Sequence, residues 1–219
     1  MCSMRRAAVV LFTVLWITAM STYPGWTQLD PNTQGHDWCR NFLCDLLASE
    51  TGDGRSNLVG SIVMTVSVVV MIFGGMLPLW WNVAAAGRRR TIARTASVLA
   101  IMLTLGICIE QTMVLELPHG ALALGAGGVG LVPTAIVMVE DWRRAGCTRL
   151  RRFAMVGLAV SAVTSFVSYS IVQLGGELTP VVPTAQKFAI TFLLLWLWLV
   201  DERTLIEAST ADSVPFRRS

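Results

Sequence analysis

LVGSIVMTVSVVVMIFGGMLPLWW, running from Leu58 to Trp81, holds no charged residue over its whole length. A helix needs about 20 mostly apolar residues to cross a hydrocarbon core of roughly 30 Å, so this stretch reads as a membrane span. Five more segments have the same character, at 7–23, 95–115, 121–139, 153–172 and 181–200. Helices are required because lipid offers no partner for a free backbone N–H or C=O. A barrel would show alternating segments of about ten residues, and none is visible. The expected fold is all-α: one six-span bundle over residues 1–219, ending in a short tail at 201–219.

Charge placement sets the orientation. Arg5 and Arg6 precede the first span. Arg88, Arg89, Arg90 and Arg94 separate the second from the third, and Arg143, Arg144, Arg149, Arg151 and Arg152 separate the fourth from the fifth. Arg203, Arg217 and Arg218 follow the sixth, which leaves Arg40, Arg55 and Lys187 for the opposite side. The positive-inside rule then puts both termini in the cytoplasm and the protein in the plasma membrane. The net charge of +3 therefore reflects anchors facing anionic lipid rather than nucleic-acid binding. Lys187 is the single lysine among 17 basic residues, an arginine bias that suggests a GC-rich bacterial genome. The first span admits a second reading, since Arg5-Arg6, an apolar run and small residues at Ala19 and Ser21 also fit a cleaved signal peptide. Against this, Tyr23 and Trp26 fit an interfacial aromatic belt.

The long outer loop, 24–57, opens with turn formers. Its stretch 36–48 has a helical pattern. Asp37, Arg40, Asn41, Cys44 and Asp45 make a polar stripe, and Trp38, Phe42, Leu43, Leu46 and Leu47 an apolar face. An amphipathic helix lying across the outer mouth is expected, with Asp37 and Arg40 paired at i, i+3. On such a helix Cys39 and Cys44 diverge and stay as thiols. With His36 they match no standard zinc spacing, and neither metal nor cofactor is expected. Ser56 or Asn57 is placed to cap the second span.

Tyr23-Pro24-Gly25, Asp30-Pro31-Asn32-Thr33, His36-Asp37 and the run from Arg40 to Leu46, followed by Gly54 and Asn57, resemble an uncharacterised bacterial family of six-span membrane proteins, a domain of unknown function. The resemblance covers the first 60 residues in motif and the remainder in span layout. Gln186-Lys187 is similar to that family too. It implies the fold and no activity. Asp37-Trp38-Cys39 is also weakly similar to a stretch of alkaline ceramidases. Those zinc hydrolases use several intramembrane histidines, whereas this chain has only His36 and His119, near the outer surface, so the zinc site does not carry over.

An ionisable group inside a span costs roughly 2.5–3.5 kcal/mol on insertion scales and asks for a partner or a purpose. Glu110 in the third span and Lys187 in the sixth lie at matching depth, roughly 7–10 Å below the outer surface. They are expected to pair, with Gln111 and Gln186 beside them. Tyr169 and Gln173 belong to the same layer, with Glu116, His119 and Glu177 nearer the surface. The inner half of the membrane offers few such groups by comparison. Ala121/Gly125, Ala123/Gly127 and Ala126/Gly130 are small-x-x-x-small pairs, expected to seat the fourth span against the fifth, which carries Gly157, Ser161 and Ser165. Pro78 and Pro133 are expected to bend their spans.

There is no phosphate loop, no Gly-x-Ser-x-Gly elbow and no HExxH. The leading expectation is a protein that binds a lipid, a small amphiphile or a membrane partner in an outward-facing polar pocket formed by Asp37, Arg40, Asn41, Asp45, Glu110, Gln111, His119, Tyr169, Gln186 and Lys187. Membrane lipids are the expected partners, and nucleic acid is not one. The alternatives are a membrane-embedded lipid hydrolase, with Asp37, Glu110 or His119 as acid or base, and a small transporter.

Overall fold

The computed structural model describes residues 2–83, 87–113, 119–144 and 146–200. Six helices are long and apolar enough to cross a membrane: Met4–Thr22, Leu58–Trp81, Arg88–Gln111, His119–Trp142, Arg149–Gln173 and Val181–Leu199. They are the first to sixth spans below. The all-α, six-span class holds, and the regular elements among the described residues are all helical. The tail at 201–219 and Glu116 lie outside the described residues.

The third and fifth spans begin earlier than their apolar stretches, at Arg88 and Arg149. Arginine stems can lie along apolar surface while the heads reach water, so a helix can run on through them. The second span changes pitch partway. Its helix Leu58–Val70 passes through a π-helical turn, Met71–Met76, into Leu77–Val83. Pro78 explains this: it has no N–H and its ring collides with the carbonyl four residues earlier, so the ladder widens ahead of it.

Consecutive spans pair as three antiparallel hairpins, first with second, third with fourth and fifth with sixth. Thinner seams join second to third, fourth to fifth and sixth to first, closing a ring. Close approach within the first hairpin depends on Gly74, where a Cβ would fall 2.7 Å from Ala8. The small face of the fourth span is shared rather than given to the fifth as expected. Gly125 and Gly130 meet Leu103 and Ala100 of the third span, while Gly127 and Gly128 meet the Phe166 ring of the fifth. Phe166 fills the space that a second small face would have left open.

The seams share one device at the arginine-rich end. Arg94 stacks over Trp81 at 4.7 Å, Arg152 over Trp142 at 5.3 Å and Arg6 over Trp198 at 5.5 Å. Each pair joins the start of one hairpin to the end of another. A second arginine contact backs each stack. Arg94 donates to the Trp81 carbonyl at 3.2 Å, Arg151 to Asp141 Oδ1 at 2.9 Å, and Arg5 to the carbonyls of Leu197 and Val200. Cations suit these positions because a helix C-terminus leaves its last carbonyls unpaired and carries partial negative charge. Arg5, Phe12 and Trp16 are buried at successive levels of the first span, which packs against the second and sixth spans.

The inner half is therefore not bare of polar chemistry. Asp141 is fully buried, accepting from Arg151 and, through Oδ2, from Trp196 Nε1 at 3.0 Å. Both carboxylate oxygens thus have donors, as a buried charge requires.

Candidate functional site

At the other end the loop between the first two spans folds into the mouth of the ring. Arg40–Asn41–Phe42–Leu43–Cys44–Asp45–Leu46 is not the regular amphipathic helix expected. Only Cys44–Leu46 forms a 3-10 turn. The cause is local side-chain competition for backbone groups. Asp37 Oδ1 accepts from the N–H groups of Cys39 and Arg40 at 2.8 and 3.0 Å. The Asp37 N–H donates to Asn41 Oδ1 at 2.8 Å. Asp45 Oδ2 accepts from the Phe42 N–H and from Asn41 Nδ2, at 2.8 and 2.9 Å. The Phe42 N–H, which a helix would have sent to the Trp38 carbonyl, is thus taken by Asp45, and the cap-like turn at Asp37 does not continue as a helix.

The loop is a plug rather than a lid. Asn41 and Leu46 are fully buried and Phe42 nearly so. Asn41 Nδ2 also donates to the Trp26 carbonyl at 2.9 Å, to which Tyr23 donates its hydroxyl at 3.1 Å. Tyr23 is buried in this turn rather than sitting in an interfacial belt. Asn57 stands at the start of the second span without a side-chain cap bond. Its Nδ2 instead donates to the Ala48 carbonyl at 2.8 Å, holding the end of the plug. Ser61 donates to the Leu47 carbonyl at 2.5 Å, one turn deeper.

The sixth span grips the plug from the side. Lys187 is fully buried and donates to the Asn41 carbonyl, with Pro183 O at 3.5 Å and the Trp38 ring 5.9 Å away. Gln186 Oε1 accepts from the Leu43 N–H at 2.9 Å. The expected Glu110–Lys187 pair is not formed. Glu110 Oε2 lies 2.7 Å from His119 Nδ1 and 2.6 Å from Gln111 Nε2. Equal depth fixed the height of the two charges but not their direction around the ring, and the plug's backbone took the lysine.

The ten residues of the expected pocket therefore separate into three groups. Asn41, Asp45, Gln186 and Lys187 bind the plug. Glu110, Gln111 and His119 form a second cluster, and Tyr169 stacks edge-on against Phe42 at 5.9 Å beside it. Asp37 and Arg40 stay on the rim, where Arg40 pairs with Asp30 at 2.9 Å and, more loosely, with Asp37 at 3.8 Å.

Burial sets the protonation of the plug. It raises the pKa of the Asp45 carboxyl, against the opposing bonds from Asn41 and Phe42. It pushes the Cys44 thiol and the Tyr23 phenol up as well. Desolvation lowers His36 to about 4. Hydrogen bonds from Arg55 and Thr51 hold exposed Asp53 at about 2. Cys39 and Cys44 are both free. Among the described residues, no three His, Cys, Asp or Glu side chains converge as a metal site would need.

Open space lies on the flanks of the bundle. One groove of about 470 Å³ runs between the fifth and sixth spans, walled by Val160, Ala185, Phe188 and Phe192. Thr184 and Cys39 of the plug stand at its outer end beside Pro180 and Val181, where Thr184 donates to the Cys39 carbonyl at 3.4 Å. From Val181 to Phe192 the wall extends roughly 16 Å, about half a hydrocarbon core. A second groove of about 490 Å³ lies at the inner end between the first three spans, lined by Met4, Leu77, Pro78, Trp81, Val98, Ile101 and Met102. Sequence reasoning missed both, because a groove depends on which faces of neighbouring helices fail to touch.

No protein-family model, curated protein or solved structure matches the chain.

Proposed function

We propose that this multi-pass membrane protein binds a lipid or small amphiphile in the outer-leaflet groove between its fifth and sixth spans, with the plug capping the groove's outer end. The observation that carries this reading is the groove's predominantly apolar wall, Val160, Val181, Ala185, Phe188 and Phe192, with Cys39 of the plug and Thr184 at its outer end. An apolar trough that ends at the plug suits an amphiphile whose chain lies in hydrocarbon and whose head lies at the interface. Of the polar residues expected to line an open pocket, Asn41, Asp45, Gln186 and Lys187 instead hold the cap in place. The resemblance of the first loop to an uncharacterised six-span family agrees with such a layout and supplies no activity.

The arginine distribution supports both termini in the cytoplasm of a bacterial plasma membrane. In a Cys39→Ser background, a membrane-impermeant maleimide should label a cysteine placed at Gln28 in intact cells and spare one at Arg149. Mass spectrometry of co-purified lipids tests the binding reading. Val160 is largely exposed, so Val160→Trp fills the groove without disturbing the core. A co-purified amphiphile should disappear from that variant. An unchanged lipid profile would contradict the assignment.

A further inference from the structure

The inner groove differs from the outer one in what stands at its mouth. Its third-span wall is Val98, Ile101 and Met102. Arg94 lies one turn before Val98, and Arg90 one turn before that. At 3.6 residues per turn these positions share one helix face, with Arg90 offset from Arg94 by about 40°. The opposite wall ends at Trp81, the ring over which Arg94 stacks at 4.7 Å. The planar Arg94 group thus stands at the polar end of an apolar trough. Arg90 is exposed just beyond it, and its side chain makes no hydrogen bond or ion pair with the described residues. Arg88 adds a third positive charge on the same turn.

We infer that this trough is a binding site for an anionic phospholipid of the inner leaflet, with an acyl chain along Leu77, Val98 and Met102 and the phosphate against Arg90 and Arg94. Charge complementarity and depth both select this occupant. The arginines sit at the end of the span where phosphates lie, and the trough extends about 12 Å from Arg94 to Met102, within one leaflet. A zwitterionic lipid would fill the trough equally well and gain little from the arginines. A soluble anion would meet the arginines but have no use for the trough. The site is separate from the outer groove, in leaflet and in residues, and stands or falls independently of it.

The test uses the full chain in nanodiscs of phosphatidylcholine doped with phosphatidylglycerol, followed by native mass spectrometry of lipids retained after detergent extraction. Phosphatidylglycerol should be retained in preference to phosphatidylcholine. Arg90→Gln should lower that retention about fivefold, the change expected from roughly 1 kcal/mol per basic side chain at a membrane surface. Val98→Trp, which fills the trough at an exposed position, should abolish it. Arg149→Gln, an exposed arginine of the fifth span, should leave it intact, as should Val160→Trp in the outer groove. If Val98→Trp fails to fold, Arg90→Gln against Arg149→Gln decides. Retention without headgroup preference, or equal loss in both arginine variants, would overturn the inference.

Discussion

The Lys187 ammonium donates to the backbone carbonyl of Asn41, joining the sixth span to a loop that ends before the second span begins. A charged group at zero exposure is held here by a peptide oxygen rather than by an acid. Lys187→Met removes that donor at similar volume and leaves a buried carbonyl unpaired. A loss of about 1–3 kcal/mol is expected, read as a lower unfolding midpoint in detergent. Because Glu110 has its own partners in His119 and Gln111, Glu110→Gln and Lys187→Met should add to within about 0.5 kcal/mol. A larger coupling energy would restore the direct pair that equal depth suggested.

Asp141 joins the fourth, fifth and sixth spans through Arg151 and Trp196. Asp141→Leu strands a buried guanidinium and should cost about 3–5 kcal/mol. The double variant Asp141→Leu, Arg151→Met removes both charges and should recover much of that loss in the same thermal assay. No recovery would mean that the acid acts alone.

His36 gives the plug a pH response. Its folded value of about 4 lies below its ordinary 6.5, chiefly through desolvation, with Lys187 adding to the effect. Between those values the unfolded chain binds the proton and the folded chain does not. The contribution of His36 to stability is thus fully present above pH 6.5 and is lost as pH falls toward 4. Unfolding midpoints measured across that window should drop, and His36→Gln should flatten the slope. An unchanged slope in the variant would assign the response to another group.

The three arginine–tryptophan stacks close the seams between hairpins. At partly exposed sites such a contact contributes roughly 0.5–1 kcal/mol. Arg152→Gln and Trp142→Leu should each lower stability by about that amount, and the double variant by less than their sum. Additive losses would show that the ring and the guanidinium do not interact.

The six spans and the bundle class were legible from hydropathy, because membrane insertion is decided by composition over a whole segment. Conformation within the loop was not. Trp38, Phe42 and Leu46 do recur at helical spacing, yet Asp45 takes the Phe42 N–H that a helix would use. Depth along a span can be counted in residues, which placed Glu110 and Lys187 at one level. Azimuth depends on packing, and a backbone carbonyl from the plug is invisible as a partner in any side-chain pattern. Asp141 was overlooked because the apolar window ended at Val139. Its position, in the acidic pair Glu140-Asp141 before Trp142 among so many arginines, was the available signal.

Photo-crosslinking with a phospholipid that carries a diazirine along its acyl chain tests the outer-groove reading most directly, in membranes that retain the full chain. Label should concentrate on Val160, Phe188 and Phe192, and Val160→Trp should displace it. Label spread evenly over the exposed faces of all six spans, such as Val10, Ile62, Ile109 and Val139, would mean that lipid wets the bundle without choosing the groove.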